Sequence, residues 1–86
     1  MFVILSYDVA SKRVAKVLKI CRRYLTHRQL SVFDGMITEA KLEKLKSEVA
    51  KVVRPDEDEL CIYKFGSLKY SSKDYIGSDE NGDNII

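Results

Sequence analysis

The fold is decided by the first apolar stretch of the chain, Phe2-Val3-Ile4-Leu5, which is followed by Ser6-Tyr7-Asp8. Four consecutive apolar residues with a β-branched centre suit a buried central strand better than a helix. Because alternate residues of a strand point to opposite faces of a sheet, this run is apolar on both faces. Helices would cover one face, and we expect two copies of the chain to bury the other face against each other.

Two amphipathic helices are predicted after this strand. The first runs from Ser11, placed to act as its N-cap, to about Leu25, and the second follows Thr38, a second capping residue, and runs to about Val53. Their apolar residues recur at helical spacing: Val14, Val17, Leu18, Cys21 and Leu25 in the first helix, and Leu42, Leu45, Val49 and Val52 in the second. We interpret the other face of the second helix, with its Lys44/Glu48 pair, as solvated surface.

Three further segments are predicted to be extended. Leu30–Ile37 forms either one bent strand or a hairpin with residues near Arg28, Leu60–Phe65 forms a strand after an acidic turn, and Lys73–Gly77 can add a short strand at a sheet edge. The order matches the ferredoxin-like βαββαβ pattern, an α+β fold with both helices on one face of an antiparallel sheet. We expect one domain with a C-terminal strand over residues 1–77 and a flexible acidic tail over residues 78–86.

The composition is that of a folded globular chain, with 45% hydrophobic and 33% charged residues. A core built from 86 residues is thin, so a partner subunit would help to stabilise it. The two cysteines, Cys21 and Cys61, are interpreted as buried free thiols. The first residues lack a basic region and have too short an apolar run for a signal peptide or a membrane span, so we expect a cytoplasmic protein with no membrane contact.

The positive charge is concentrated in the first part of the chain. Residues 1–36 hold seven Lys or Arg and two Asp, which gives +5, whereas residues 37–86 hold eight Lys or Arg and eleven acids, which gives −3. The first helix carries most of this charge, on Lys12, Arg13, Lys16, Lys19, Arg22 and Arg23. The asymmetry predicts a face for an anionic partner. Solvated surface is the other interpretation of such a basic helix.

Asp8, at the end of the first strand, has two interpretations. Mg²⁺ binds through one or two carboxylates and keeps several waters, so two copies of Asp8 near the two-fold axis of a dimer could hold one cation. Asp is also a preferred capping residue, and Asp8 could instead cap the turn into the first helix.

An ordered set of motifs follows these features: Tyr7-Asp8, then His27-Arg28-Gln29-Leu30-Ser31-Val32-Phe33-Asp34-Gly35 with Thr38-Glu39-Ala40, and then Asp58-Glu59-Leu60-Cys61-Ile62-Tyr63. In this set the chain resembles the CRISPR-associated Cas2 family, in which Arg-Val-Gln-x-Ser-Val-Phe-Glu-Gly and Asp-Ser-Val-Arg-Ile-Tyr segments occupy the same places. The resemblance covers about residues 2–65, with a weaker similarity at Tyr75-Ile76-Gly77. The turn after Asp8 is shorter here than in many members and lacks their further acidic residues.

The resemblance implies a ferredoxin-like homodimer that bridges copies of the CRISPR integrase during spacer capture and, in some members, cleaves RNA or DNA with a divalent metal such as Mg²⁺. It implies that Asp8 is a catalytic metal ligand and that Arg13 and Arg28 are basic residues of the active site. We add Tyr7 because its hydroxyl could reach Asp8 or a substrate. For duplex DNA, and for single-stranded RNA, we expect backbone contacts from Lys12, Arg13, Lys16, Lys19, Arg22, Arg23 and Arg28.

Three functions therefore compete. The chain could be a basic dimer that binds duplex DNA and docks the integrase, or a metal-dependent phosphodiesterase. The third alternative is a ferredoxin-like regulatory or toxin-type domain unrelated to CRISPR.

Overall fold

The computed structural model of the chain describes residues 1–66 and 70–77. The elements follow one another as β1 (Phe2–Asp8), α1 (Ser11–Arg22), β2 (Thr26–Gln29), β3 (Val32–Met36), α2 (Glu39–Ala50), β4 (Glu59–Phe65) and β5 (Tyr70–Ile76). They form one five-stranded sheet in the order β2-β3-β1-β4-β5, in which every neighbouring pair is antiparallel. The predicted α+β fold, with β1 in the middle of the sheet, is confirmed.

One hydrophobic core joins the sheet to both helices. Val3 and Leu5 of β1 are fully buried, together with Leu60 and Ile62 of β4 and Phe33 of β3. The buried residues of the helices belong to the same cluster: Val17, Ile20 and Cys21 from α1, and Leu42, Leu45 and Val49 from α2. Both helices therefore pack on the sheet face that these strand residues share, which is called the helix face below.

The opposite, open face of the sheet is apolar toward the amino end of β1. Phe2 pairs with Met36 on one side and with Phe65 on the other, and Ile4 pairs with Tyr63. Met36 is 72% exposed, and the rings of Phe2 and Phe65 lie 6.3 Å apart. This is the surface that β1 was predicted to leave uncovered, because its apolar residues alternate between both faces.

The segment around residue 30 is a hairpin. β2 and β3 pair across a turn at Leu30 and Ser31, with a register shift between His27 and Gln29. Leu30, at the turn, is 92% exposed. The prediction that Leu30 begins an extended segment was therefore wrong by two residues, since β3 begins at Val32.

The helix ends differ in part from the predicted ones. Thr38 caps α2 as predicted, since its Oγ1 accepts a hydrogen bond from the backbone N–H of Lys41 at 3.1 Å. Ser11 is the first residue of α1 rather than its cap, and the capping position belongs to Ala10, which has no side chain to accept a hydrogen bond. α1 ends at Arg22 and α2 at Ala50, both three residues earlier than predicted.

The structure also differs from the predictions in the partner of Glu48 and in the length of β5. Glu48 does not pair with Lys44 but binds Arg23 and the Tyr24 hydroxyl, so it ties α2 to the end of α1. β5 is longer than the predicted strand and lies at the sheet edge, paired with β4 of the same chain. The predicted tail over residues 78–86 lies outside the described residues.

The cysteines are both free thiols, as predicted. Cys21 is buried, and burial raises the pKa of its thiol to about 12. Cys61 is only half-buried, because it lies on the open face of β4. Among the described residues, neither helix is long and apolar enough to cross a membrane.

Asp58 is a buried carboxylate that connects three segments of the chain. It is 1% exposed and accepts hydrogen bonds from the backbone N–H groups of Ala10 and Arg54, at 2.9 and 2.8 Å. Arg13 of α1 donates to both of its oxygens, through Nε at 2.7 Å and Nη2 at 3.0 Å. These contacts, which we call the Asp58 clasp, join the turn after β1, the first turns of α1 and the loop before β4.

We predict that Asp58→Asn lowers the free energy of unfolding by about 2–4 kcal/mol at neutral pH, because the Arg13 guanidinium loses its charged partner and one oxygen that accepts two hydrogen bonds is replaced by an NH2 group. The Arg13 guanidinium and the two backbone N–H groups hold the pKa of Asp58 well below its ordinary value of 3.8. The clasp therefore stabilises the fold above that ordinary pKa, and its contribution is lost as the pH falls below about 4.

Urea unfolding of the wild type and Asp58→Asn between pH 7 and pH 2 measures this contribution. The stability gap between the two proteins should be widest near neutral pH and should narrow toward pH 2. Asp56→Asn is the matched control, because Asp56 is exposed in the same loop. A gap that does not change with pH would contradict the role given to the Asp58 charge.

Candidate metal and nucleic-acid site

Asp8 ends β1 on the open face of the sheet. Along this strand buried and more exposed residues alternate, and Asp8 is exposed, one position after buried Tyr7. It forms the last pair of the β1–β4 ladder, with Glu59 as its partner. A cleft of about 260 Å³ opens here, lined by Ser6, Tyr7, Asp8, Ser31, Glu59, Cys61 and Tyr75. The cleft offers carboxylate and hydroxyl oxygens, the donor atoms that hard divalent cations prefer.

The structure decides against the capping interpretation of Asp8. Among the residues that the structure describes, no side chain makes a capping hydrogen bond to α1, and the N–H of Ala10 donates to Asp58 Oδ1. Within residues 1–66 and 70–77 the Asp8 carboxylate has no hydrogen bond or ion pair, and no group of three His, Cys, Asp or Glu side chains could enclose a metal. The cleft at Asp8 therefore suits a cation that binds through one or two carboxylates and keeps several waters. It does not suit a cation whose ligands must all come from protein side chains.

Tyr7 has a different environment from the one expected. Its side chain is buried on the helix face, and its hydroxyl donates to the carbonyl oxygen of Leu30 at 2.9 Å rather than reaching Asp8. Burial is the main cause that raises the pKa of this hydroxyl above its ordinary value. In addition, the Tyr7 N–H donates to the Ser31 carbonyl at 3.1 Å. Tyr7 therefore positions the β2–β3 turn beside the cleft.

Arg13 is largely committed to acidic side chains. It is bound in the Asp58 clasp, its Nη2 also donates to Glu57 Oε1 at 2.6 Å, and its side chain is only 12% exposed. These partners raise the pKa of its guanidinium, so it stays charged. Among the described residues Nη1 has no hydrogen bond, so a phosphate contact from Arg13 would use this nitrogen.

Arg28 lies in the edge strand β2. Its Nε donates to Asp34 Oδ1 at 2.8 Å, and Asp34 is paired with Ile4 on the open face. The Arg28 guanidinium is thus on the same face as Asp8, two strands away, about 10 Å in the direction of the ladder. His27, the preceding residue, stacks on the buried ring of Phe33 with their centroids 4.6 Å apart.

The other predicted nucleic-acid contacts form a separate surface. The α1 basic surface consists of the exposed residues Lys12, Lys16, Lys19, Arg22 and Arg23. It lies on the helix side of the sheet, whereas Asp8 and Arg28 lie on the open side. One member is already engaged, since Arg23 Nη2 binds Glu48 Oε1 at 2.6 Å while remaining largely exposed. The chain therefore has positively charged side chains on both sides of its sheet.

Sequence reasoning missed three acidic residues near these surfaces. Asp58 and Glu59 were placed in an acidic turn and in a motif, without a role for either, and Glu48 was interpreted as solvated surface. Ala10 is 48 residues from Asp58, Arg23 is 25 residues from Glu48, and Asp8 is 51 residues from Glu59, so no local pattern marks these contacts. The one available signal was the apolar Leu60 after Glu59, which places Glu59 on the open face by alternation.

Comparison with known proteins is consistent with this fold. The family model of CRISPR associated protein Cas2 matches residues 1–73. The chain is 42% identical over 81 residues to a CRISPR-associated endoribonuclease Cas2 of Dictyoglomus turgidum, covering 94% of this chain and 93% of the relative. It is 42% identical over 86 residues to a protein of the same name from Thermotoga maritima, covering 100% and 99%. A crystal structure of Streptococcus pyogenes Cas2 superposes with a TM-score of 0.71 at 28% identity, over 79% of this chain and 89% of the other.

We predict that Tyr7→Phe loosens the β2–β3 turn. Loss of the bond to the Leu30 carbonyl should lower the free energy of unfolding by about 0.5–1.5 kcal/mol. Amide hydrogen exchange should accelerate at Ser31 and Val32, while β4 serves as an internal control with unchanged exchange below the global unfolding limit. Equal exchange at the turn in both proteins would show that the hydroxyl does not position it.

Proposed function

Because this chain belongs to the CRISPR-associated Cas2 family, we propose that it cleaves RNA or DNA with a Mg²⁺ ion held at Asp8. The prediction of an endonuclease is confirmed at the level of the family, since the relatives from Dictyoglomus turgidum and Thermotoga maritima are named endoribonucleases. Family membership also removes the alternative of a domain unrelated to CRISPR. One observation carries the proposal: Asp8 is an exposed carboxylate, without a partner among the described residues, in a cleft at the end of the central strand.

Each residue of the site has a role in this proposal. Asp8 would hold the cation through a carboxylate oxygen, and a cation bound there would supply a water of lowered pKa and charge stabilisation at the phosphate. Arg28, on the same face, contacts a phosphate oxygen when it exchanges Asp34 for the substrate. Tyr7 positions the turn that carries Ser31, and Arg13 keeps the turn after Asp8 in place through the Asp58 clasp.

We propose that the chain acts as a homodimer through the apolar part of the open face. Phe2, Ile4, Met36 and Phe65 offer a contiguous surface of the kind that monomeric proteins seldom expose. Asp8 lies at the other end of the same strand, where the apolar residues give way to polar ones.

The second function we propose is a scaffold that binds duplex DNA and bridges copies of the spacer integrase. The α1 basic surface supports it, because five exposed cations lie on the side of the sheet away from Asp8. Contacts from such a surface would be made to phosphates and would carry no sequence information. Duplex binding would then be independent of the metal.

We predict that Asp8→Asn lowers the rate of cleavage of single-stranded RNA or duplex DNA by at least about 100-fold, because the cation loses its ligand. Duplex affinity should stay within about twofold, since the α1 basic surface is untouched. Nuclease assays with Mg²⁺ or with a chelator, alongside duplex binding, measure both effects. Asp56→Asn is the control for the loss of one exposed negative charge. Cleavage that persists in Asp8→Asn or in the chelator would refute the metal mechanism.

We predict that Lys16→Gln/Lys19→Gln weakens duplex binding and reduces the slope of log K against log salt by about one for each lost phosphate contact. Lys44→Gln/Lys51→Gln removes the same charge from exposed positions on and just after α2 and should leave the slope nearly unchanged. Fluorescence anisotropy with labelled duplex across a salt series gives both slopes. If the two double variants lose affinity equally, binding depends on net charge and not on α1.

A further inference from the structure

We propose that Glu59 is a second carboxylate ligand of the divalent cation, within the same protomer as Asp8. This inference rests on the proposed metal-dependent nuclease function and adds a residue to its site. The motif by which the chain resembles the family has Ser at the place of Glu59. The second carboxylate is therefore argued from the geometry of this chain.

The strand register brings the two carboxylates together. In the β1–β4 ladder Tyr7 pairs with Leu60, and both side chains are buried on the helix face. The next pair is Asp8 with Glu59, and both of these side chains are on the open face. Side chains directly opposite each other in an antiparallel pair have Cβ atoms about 4.5–5.5 Å apart. Two carboxylates at that separation can reach one cation with metal–oxygen distances of about 2.0–2.1 Å. Both residues line the same cleft.

Within residues 1–66 and 70–77 no positively charged side chain pairs with either carboxylate. Like charges directly opposite on one face destabilise a sheet. In the described residues neither carboxylate has a hydrogen bond or an ion pair, and the nearby guanidinium of Arg13 is bound to Asp58 and Glu57. A divalent cation between Asp8 and Glu59 would offset the repulsion. Mg²⁺ has the required chemistry, because it binds through one or two carboxylates and keeps the rest of its shell as water.

The backbone at Glu59 is fixed from both sides. Asp58, the preceding residue, is held by the Asp58 clasp. Gly77, at the end of β5, packs so closely that a Cβ there would lie 2.7 Å from the carbonyl oxygen of Asp58 and 3.2 Å from Cγ of Glu59. Its φ of +140° also lies where residues with a Cβ are strained. Glu59 is therefore held by neighbouring chain on one side and faces the cleft on the other, which favours a ligand position set before metal binds.

The number of cations bound per chain differs between two arrangements of the site. If each protomer supplies both Asp8 and Glu59, each chain binds one cation, and a dimer binds two. If the cation were instead shared by the Asp8 residues of two protomers, the dimer would bind one. The ratio of metal to chain thus separates the two arrangements without an activity measurement.

Mn²⁺ is the probe for the test, with binding followed by calorimetry and electron paramagnetic resonance on the full chain. We expect one Mn²⁺ per wild-type chain, a Kd at least about tenfold weaker in Glu59→Gln, and a similar loss in Asp8→Asn. Glu39→Gln, which removes an exposed acid from α2, should bind like the wild type. A Kd unchanged in Glu59→Gln, or one Mn²⁺ per two chains, would overturn the inference.

Thermal unfolding in a chelator gives a second readout. Glu59→Gln should melt roughly 1–5 °C higher than the wild type without metal, because the like-charge pair is gone, and should gain less from added Mn²⁺. Glu59→Asp keeps the charge on a shorter side chain, so it should melt like the wild type without metal yet bind Mn²⁺ more weakly. A Glu59→Gln protein that melts lower than the wild type in chelator and gains as much from Mn²⁺ would contradict the inference.

The two proposals fail in different ways. If Asp8→Asn loses Mn²⁺ binding and cleavage while Glu59→Gln changes neither, the Glu59 inference is wrong and the proposed function stands. If the wild type binds no Mn²⁺ and cleaves RNA in chelator, the metal mechanism is wrong, and the inference is wrong with it.

Discussion

The buried carboxylate of Asp58 is the interaction on which the arrangement of the cleft depends. It binds the chain on both sides of the central sheet pair, at Ala10 after β1 and at Arg54 before β4, and it anchors α1 through Arg13. A buried charge is costly unless each of its oxygens is bound, and here every oxygen has two partners. The positions of Asp8 and Glu59 follow from this, because each lies within two residues of a segment held by the clasp.

The central sheet divides two kinds of surface. The Lys and Arg side chains of the α1 basic surface lie on the helix side of the sheet. The carboxylates of the cleft and Arg28 lie on its open side. The first surface therefore attracts anions, whereas on the second surface the carboxylates of Asp8 and Glu59 have no positively charged partner among the described residues. One small domain therefore combines a basic helix surface with a cleft lined by carboxylates on the other side of its sheet.

Much of the fold could be predicted from local patterns. The apolar run of β1, the capping residue Thr38 and the spacing of Leu42, Leu45 and Val49 each report on neighbours a few residues away. The site was predictable only in part. The sequence shows that Asp8 lies at the end of a strand, but it does not show that the Asp8 carboxylate leaves the start of α1 uncapped. The roles of Arg13 and Tyr7 depend on Asp58 and on the carbonyl of Leu30, 45 and 23 residues away, which no periodicity encodes.

The edge strand β5 contributes Tyr75 to the wall of the cleft, and Gly77 closes against Glu59 directly after it. During synthesis on the ribosome, Ser6, Tyr7 and Asp8 emerge first, and Tyr75 and Gly77 emerge last, among the residues that shape the cleft. A nascent chain that has already formed β1, both helices and β4 still presents an unfinished cleft, open on the side where β5 will dock. Translation order therefore delays the completed cleft until the last strand of the sheet has been made.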